Sequence, residues 1–263
     1  MDQRGIDEAV QSFYAEPATE ADRLVTSSPA GAAEFIRVQE LVRHEIHGPS
    51  KILDVGGTTG IHSRWLAEEG HNVTLLDPVE AHVLAAQSAG TFEAIVGDAR
   101  ALPFPDRSFD LVLVFGPLYH LGDPAERAQA LQEARRVVRE EGVVLASGIS
   151  RTAAITYQLS SGQHLRDEEW LDLIVRGQPP HVPGAFPAGH FHTSGELESE
   201  LREAGLTEVS SEGIEGFAVG VEYTRGTNPE ISDAMVIIAR ELSTVPRAKE
   251  TSNHLMARGR RSA

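Results

Sequence analysis

A glycine-rich turn is the clearest chemical signal in the chain. Residues 51–60 read Lys-Ile-Leu-Asp-Val-Gly-Gly-Thr-Thr-Gly, and a helical pattern follows them. Gly56, Gly57 and Gly60 allow a sharp turn and the close approach of a ligand to the backbone. The helix that starts beyond Gly60 offers unpaired N–H groups to a carboxylate or a phosphate. Such a turn suits several nucleotide cofactors, NAD and FAD included.

Two acids follow at the ends of the next two apolar runs. Asp77 lies 21 residues beyond Gly56, where an acid can accept hydrogen bonds from both hydroxyls of a ribose. Asp98 follows the third run and can reach the exocyclic amine of an adenine. Each acid also has a structural interpretation, Asp77 as a turn or cap residue before Pro78 and Asp98 as a turn cap. Asp54, at the end of the first run, is better suited to ordering the glycine loop than to chemistry.

Three histidines could move protons. His120 follows the fourth apolar run, and His190 and His192 flank a phenylalanine later in the chain. Because the imidazole titrates near pH 6.5, it can accept a proton from a hydroxyl or an amine. We take His120 and His192 as candidate catalytic bases, with packing or substrate-shaping roles as the alternative. A His-Phe-His pair can bind a metal, but the sequence shows no carboxylate partner, and we predict no metal site.

The elements that position these residues alternate between short apolar runs and helical patterns. The runs are 51–55, 73–76, 93–96, 111–115 and 143–147. The helical patterns between them are 61–69, 81–88 and 125–139. Strands rich in Val, Ile and Leu that alternate with helices indicate βαβ units and a parallel sheet buried on both faces.

The flanking segments complete one predicted domain over 1–263. Residues 1–47 are predicted as an N-terminal helical cap with an amphipathic helix over 31–47, and 151–192 as an inserted lid over the acceptor. The insertion contains two helical patterns and a loop rich in Pro, Gly and His over 177–192. The remaining predicted elements are a helix over 194–204 with Ser194 as N-cap, a strand over 207–211, a helix over 229–243 and a last strand over 254–258. Residues 235–239 could also form a strand.

Composition narrows the function. The chain of 263 residues has no cysteine, which excludes disulfides, thiolate zinc sites and cysteine nucleophiles. Its formal net charge of −16 argues against a nucleic-acid partner. No apolar run approaches the roughly 20 residues that span a bilayer, and the N-terminus lacks the pattern of a signal peptide. We therefore expect a cytoplasmic protein without a membrane partner; the sequence does not indicate an oligomeric state.

Three stretches resemble class I S-adenosylmethionine-dependent methyltransferases. They are Asp-Val-Gly-Gly-Thr-Thr-Gly at 54–60, Leu-Asp-Pro at 76–78, and the run 97–114 that begins Gly-Asp-Ala-Arg-Ala-Leu-Pro-Phe-Pro. The resemblance covers residues 30–150 well and 190–260 more loosely. Gly-Pro-Leu-Tyr-His-Leu at 116–121 is similar to a bacterial small-molecule subgroup, as are Glu34, Phe191-His192 and the run 252–259.

The resemblance implies a Rossmann-like, seven-stranded, mostly parallel sheet with helices on both faces and an antiparallel last strand. It implies that S-adenosylmethionine is held by Asp54, Gly56, Gly57, Thr58, Gly60, Asp77, Pro78, Asp98, Ala99, Phe115 and Gly116. The methionine part then lies at the glycine turn, the ribose on Asp77, the adenine edge on Asp98 and Ala99, and the sulfonium beside Phe115 and Gly116. Thr58 departs from the family, which usually has glycine there; its branched side chain narrows the loop and can contact the cofactor.

The expected reaction is methyl transfer to a small molecule by in-line displacement, with O- or N-methylation favoured. Three alternatives remain open: an NAD-dependent oxidoreductase on the same fold, a protein that binds the cofactor without methylating, and a methyltransferase for protein or RNA. The run 97–114 argues against the first. The sequence does not decide the second. The acidity and the absence of an evident recognition domain disfavour the third.

Overall fold

The computed structural model describes residues 2–15, 24, 28–88, 90–162, 164–180, 182, 186–216 and 228–263. Its strands are β1 (Lys51–Val55), β2 (Asn72–Asp77), β3 (Glu93–Val96), β4 (Phe109–Val114), β5 (Val138–Ile149), β6 (Thr207–Gly213) and β7 (His254–Arg260). They form one sheet in the order β3-β2-β1-β4-β5-β7-β6. Strands β1 to β5 are parallel, and β7 runs antiparallel to both β5 and β6. The predicted seven-stranded, mostly parallel fold is confirmed.

Helices connect these strands and flank the sheet. They are α1 (Gln3–Phe13), α2 (Pro29–Glu45), α3 (Ile61–Glu68), α4 (Glu80–Ser88), α5 (Pro117–His120), α6 (Pro124–Val137), α7 (Arg151–Ser161), α8 (Asp167–Leu171), α9 (Ser194–Glu203), α10 (Pro229–Leu242) and α11 (Pro246–Lys249). A π-helix over Asp172–Arg176 continues α8. Strand β5 begins five residues before its predicted start, because α6 ends at Val137 and Val138 is already extended.

The two faces of the sheet bury two different helical layers. Leu53 and Val55 belong to a core that includes the inner sides of α6 and α9. Ile52 belongs to a second core shared with α2 and α3. Side chains along a strand alternate between faces, so Asp54 shares a face with Ile52 and meets α3. This alternation places one carboxylate of the glycine turn inside the protein.

Residues 235–239, which the sequence allows as either a helix or a strand, belong to a helix in the structure. Met235 and Val236 on α10 are buried against Ala30 and Ala33 of α2. Proline occupies the first turn of α10, where its missing N–H costs no hydrogen bond. The predicted helix over 229–243 is confirmed, and the strand alternative is wrong.

The predicted insertion 151–192 leaves and rejoins the sheet at one point. Ser150 and His192 form a parallel bridge, and the Arg151 N–H donates to the His192 carbonyl at 2.8 Å.

The next helix is capped by Thr193, not by Ser194 as predicted. Thr193 Oγ1 accepts from the Glu196 N–H while the Glu196 carboxylate accepts from the Thr193 N–H, which satisfies two donors together.

Parts of two predictions lie outside the described residues. These are 1, 16–23 and 25–27 in the N-terminal cap over 1–47, and 163, 181 and 183–185 in the insertion over 151–192. Among the helices of the described ranges, none is long and apolar enough to cross a membrane.

Candidate active site

The glycine turn after β1 is packed so tightly that two of its residues must be glycine. A Cβ on Gly56 would lie 2.7 Å from Pro117 Cδ, and a Cβ on Gly57 would lie 2.7 Å from Asp54 Oδ2. Gly56 also has φ of +79°, which glycine adopts without strain. The turn therefore presents bare backbone, as the sequence predicts.

Thr58 takes a conformation that suits glycine better. Its φ is +50°, which is unusual for a β-branched residue. Its backbone N–H donates to Asp77 Oδ2 at 3.0 Å, which helps to hold the turn in place. The position where the family usually has glycine thus keeps a glycine-like backbone conformation.

Asp77, at the end of β2, is buried among donors from its own chain. Its Oδ1 accepts from the Val79 N–H at 2.9 Å and lies 3.1 Å from His82 Nδ1. His82 is itself buried at the start of α4, five residues after Asp77. The sequence analysis missed this partner, which orients the carboxylate predicted to bind ribose.

Asp54 carries a buried oxygen without a hydrogen-bond partner. Ser63 of α3 donates to its Oδ2 at 2.7 Å, while Oδ1 has no partner among the described residues. Burial raises the pKa of Asp54 to about 6; Ser63 opposes this and the charge of Asp77 adds to it. A buried carboxylate oxygen at a cavity wall favours a cationic donor from a ligand.

Asp98, beyond β3, is held by Arg100. The Arg100 N–H and Nε donate to Asp98 Oδ1 at 2.8 and 2.9 Å. The same guanidinium reaches Glu126 of α6 and Asp7 of α1. Burial alone would raise the pKa of Asp98, but the hydrogen bonds and charge of Arg100 lower it below its ordinary value. Sequence analysis missed Arg100, which ties α1 to the predicted adenine edge.

One cavity of about 420 Å³ collects these groups. All predicted cofactor residues line this cavity except Gly60. Gly60 precedes α3 and lies against the Phe92 ring. The cavity reaches from Asp98 after β3 to His254 at the start of β7. These strands are five places apart in the sheet, which corresponds to about 24 Å at the usual strand spacing. The cavity therefore follows the carboxyl edge of the parallel strands, where open α/β sheets bind ligands.

Helix α1 covers part of this cavity. Its lining residues are Asp7, Glu8, Val10 and Gln11, with Tyr14 just beyond. Gln11 Nε2 donates to the Pro78 carbonyl at 2.8 Å. None of the described residues of 151–192 lines the cavity, although Phe186 and Pro187 contact its wall at His120. The lid over 151–192 stays a prediction, whereas α1 lies over the cavity.

His120 lines the cavity and has a defined tautomer. Its Nδ1 lies 2.8 Å from the Pro187 carbonyl, which only accepts, so Nδ1 carries the hydrogen. Its Nε2 is 3.4 Å from the Tyr14 hydroxyl. Because Tyr14 also packs against His82, the partner of Asp77, His120 lies on the side of the cavity nearest the predicted ribose site.

The structure does not bring His192 to the cavity. It is fully buried behind β5, with Nε2 3.2 Å from Glu200 Oε2 of α9. Its ring lies 4.4 Å from that of His190, whose pKa is lowered to about 2 by burial and then by the charges of His192, Arg127 and Arg151. We therefore do not carry the catalytic prediction for His192 forward.

Glu200 supplies the carboxylate that sequence analysis did not find beside the histidine pair. His190, His192 and Glu200 could place three ligand atoms within 4.8 Å of one another. However, Arg127 Nε already donates to Glu200 Oε1 at 2.8 Å, and positive charges there oppose a second cation. We interpret the group as a buried polar network that joins α9 to the end of β5.

At the far end of the cavity, three titratable residues meet. His254 Nδ1 contacts Glu215 Oε1 and lies 3.5 Å from Glu34 Oε2. Glu215 and Glu34 are buried, and His254 and Glu34 line the cavity. Glu215 and His254 are 39 residues apart in the chain, and no local pattern marks them as partners.

The sheet, the glycine turn and the acids at successive strand ends together define a site for an adenosine-containing ligand. Residues 53–146 match the methyltransferase domain family. A demethylmenaquinone methyltransferase of Thermotoga maritima is 31% identical over 195 residues, which cover 71% of this chain and 77% of that protein. A ubiquinone/menaquinone biosynthesis C-methyltransferase of Cupriavidus metallidurans is 23% identical over 81% of this chain and 92% of its own length.

Solved structures share the fold at low identity. An S-adenosylmethionine-dependent methyltransferase of Methanosarcina mazei has a TM-score of 0.58 and 18% identity over 85% of this chain and 98% of its own. A possible histamine N-methyltransferase of Thermotoga maritima has a TM-score of 0.56 and 15% identity over 99% and 97%. The chain belongs to the class I S-adenosylmethionine-dependent methyltransferases.

S-adenosylmethionine is accordingly the cofactor, and the cavity fits it. Gly56 and Gly57 line the cavity with backbone alone, since the packing around them admits no Cβ. The unpartnered Oδ1 of Asp54 suits the ammonium group of the methionine part. Both features belong to one continuous cavity wall.

Proposed function

We propose that this protein transfers the methyl group of S-adenosylmethionine to a nitrogen or oxygen atom of a small molecule. The observation that carries the proposal is the single cavity that joins the glycine turn to Glu34 and His254. Its volume of about 420 Å³ lies within the usual range for small-molecule sites. When bound, S-adenosylmethionine supplies an electrophilic methyl group on a sulfonium.

The residues of the glycine turn would hold the methionine part. Gly56, Gly57 and Thr58 present their backbone, and Asp54 Oδ1 accepts from the ammonium. Burial raises the pKa of Asp54, and a cation at Oδ1 would lower it again. The bound state therefore favours the ionised carboxylate.

The acids at the next strand ends would hold the adenosine. Asp77 accepts from the ribose hydroxyls beside Pro78, with His82 fixing its orientation. Asp98 and Ala99 bind the adenine edge while Arg100 keeps the Asp98 carboxylate ionised. Phe115 and Gly116 line the sulfonium end.

Positioning is the main contribution of the protein to the rate. A well-oriented donor and acceptor can account for about 7–11 kcal/mol of a barrier. Helix α1 and its Tyr14 would exclude water above the adenosine part. His120, whose Nε2 can accept a proton, is the candidate base for an acceptor that binds on that side of the cavity.

Calorimetric titration with S-adenosylmethionine and S-adenosylhomocysteine, with NAD as the control, tests the binding part of this proposal. We expect both adenosyl ligands to bind and NAD not to bind. Incubation with methyl-labelled S-adenosylmethionine and a panel of small amines and alcohols then tests transfer. Adenosyl binding without transfer to any acceptor would support a binding protein that does not methylate, and NAD binding would support an oxidoreductase.

A further inference from the structure

The cavity continues beyond the predicted sulfonium position into a pocket with its own chemistry. Phe115 shares a core with Ile214 and Met256, and all three line the cavity. Ser147, opposite Met256 in the β5–β7 register, lies at the same end. Because Phe115 and Gly116 are also the predicted sulfonium position, an acceptor bound at this end would lie beside the methyl group.

His254 is held there in the manner of an oriented base. Its Nδ1 contacts Glu215 Oε1, and the Glu215 carboxylate also accepts from Ser252 Oγ at 2.6 Å and from the His254 N–H at 2.9 Å. Since a carboxylate only accepts, Nδ1 carries a hydrogen, and in this tautomer Nε2 is the ring nitrogen with a lone pair that can take up a proton. A base fixed by a buried carboxylate is a recurring arrangement for proton transfer.

Glu34 adds a second carboxylate to the same wall. Its Oε2 lies 3.5 Å from His254 Nδ1, and its side chain is buried on α2. Arg37, one turn further along α2, donates to Glu40 and Glu212. Two carboxylates therefore lie against the His254 imidazole, and the formal charges of these three groups sum to −1 even when His254 is protonated.

This charge distinguishes between acceptor classes. A hydroxyl must approach the alkoxide or phenolate state to be methylated, and neighbouring carboxylates oppose that charge. An amine enters as an ammonium ion, which the carboxylates attract, and it becomes neutral when it loses its proton. We propose that the acceptor is a small primary or secondary amine, bound as its ammonium ion by Glu34 and deprotonated by His254, with Glu215 as the positioning residue. This inference rests on the proposed function and specifies its substrate class.

The step balances without a further reagent. The ammonium transfers one proton to His254 Nε2, and the freed nitrogen lone pair attacks the methyl carbon. The N–C bond forms as the S–C bond breaks, and the electron pair of the S–C bond stays on sulfur, which yields the neutral thioether. The methylated nitrogen leaves as an ammonium ion, and His254 releases its proton to water.

Binding of matched probes tests the charge preference. The protein, saturated with S-adenosylhomocysteine, is titrated calorimetrically with benzylamine and benzyl alcohol, and with butylamine and butanol. We expect each amine to bind at least tenfold more tightly than its alcohol. Glu34→Gln should abolish this preference, while Glu68→Gln, which removes the same charge from an exposed position at the end of α3, should preserve it.

Amines that bind no better than their alcohols, or a preference that survives in Glu34→Gln, would overturn the inference. S-adenosylhomocysteine binding is measured first in every variant. Its absence from the unaltered protein would contradict the proposed function itself, so the two failures are distinguishable.

A second variant tests the base. In His254→Asn the side-chain amide can still donate to Glu215 but cannot accept a proton. We expect amine and S-adenosylhomocysteine affinities within twofold of the unaltered protein, and transfer to the amine at least 100-fold slower at pH 7. Transfer should recover as the pH approaches the pKa of the amine, because the neutral amine needs no base. Unchanged transfer at pH 7, or a loss that is equal at every pH, would contradict the role of His254.

Discussion

The backbone N–H of Thr58 donates a 3.0 Å hydrogen bond to Asp77 Oδ2 and so joins the glycine turn after β1 to the end of β2. The carboxylate predicted to bind ribose therefore also holds the loop predicted to bind methionine. A non-glycine residue at φ of +50° costs free energy, and this hydrogen bond offsets part of that cost. One side chain therefore links the two predicted binding positions.

Relief of the strain at Thr58 should stabilise the protein. We expect Thr58→Gly to raise the free energy of unfolding by about 1 kcal/mol, since strain of this kind costs about 1–3 kcal/mol and glycine loses some of that gain through unfolded-state entropy. The neighbouring Thr59, which has no positive φ, provides the control. Thr59→Gly should lower the free energy of unfolding by about 0.5–1 kcal/mol. Urea denaturation measures both. A Thr58→Gly variant as destabilised as Thr59→Gly would show that the strain is negligible.

Loss of the Asp77 charge should weaken cofactor binding. Hydrogen bonds to a charged group contribute about 1.5–3 kcal/mol, so Asp77→Asn should raise the Kd for S-adenosylmethionine about 10- to 100-fold. Asp123→Asn makes the same change at the N-cap of α6, outside the cavity, where Asn caps as well as Asp. Calorimetry on both variants is the measurement, and equal affinities would contradict the ribose assignment.

Asp54 should make the protein less stable as the pH rises from about 4 to about 6. Its folded pKa of about 6 exceeds the unfolded value of 3.8, so the folded state holds the proton longer across this window. Ionisation of the buried group then costs about 3 kcal/mol by pH 7, at 1.36 kcal/mol for each pH unit. Asp54→Asn should remove this fall. Urea denaturation at several pH values compares the slopes, and parallel slopes in the two proteins would refute the assignment.

His190 should give the opposite pH dependence of stability, so that the protein becomes less stable as the pH falls. Its folded pKa of about 2 lies below the ordinary value of 6.5, so the unfolded state takes up a proton first and stability declines as the pH falls below about 6.5. His190→Gln should reduce this decline, whereas the same change at the exposed His164 should not. The difference in unfolding free energy between pH 7 and pH 5 gives the result. An undiminished decline in His190→Gln would exclude a buried neutral histidine.

His120 can be tested apart from its packing. The amide of His120→Asn can still donate to the Pro187 carbonyl, but it cannot act as a base. If His120 accepts the acceptor proton, transfer should slow about 100- to 10,000-fold with little change in the Kd for S-adenosylmethionine. The exposed His47→Asn is the control. A transfer rate equal to that of the control would show that His120 only supports the loop.

The sheet and the cofactor edge could be predicted from sequence because their signals are local. Residues 51–55 form a buried strand whose apolar run leads directly into glycines, Asp77 ends β2, and Asp98 follows the end of β3 by two residues. Parallel topology then brings these strand ends to one edge without further information. The predicted bounds of β1 and β3 match the structure for the same reason.

The contacts at the proposed acceptor end could not be predicted because the partners are distant in the chain. Glu34, Glu215 and His254 come from α2, the segment after β6, and the start of β7. Only the return of β7 between β5 and β6 brings His254 to the carboxyl edge. Glu200 beside His192 and Arg100 beside Asp98 also require the packed helices, since carboxylates and arginines on a helical surface have no preferred partner in sequence.

The junction of Ser150 with His192 has a consequence for how this enzyme can be altered. The segment between them begins and ends at one point of the sheet, so its length and composition can change without moving β5 or β7. The residues predicted to hold the donor lie before this junction, and β6 and β7 complete the sheet after it. Chimaeras that exchange only residues 151–191 between relatives should therefore keep both the predicted donor site and the residues proposed to bind the acceptor, and they would isolate what this segment itself contributes to transfer.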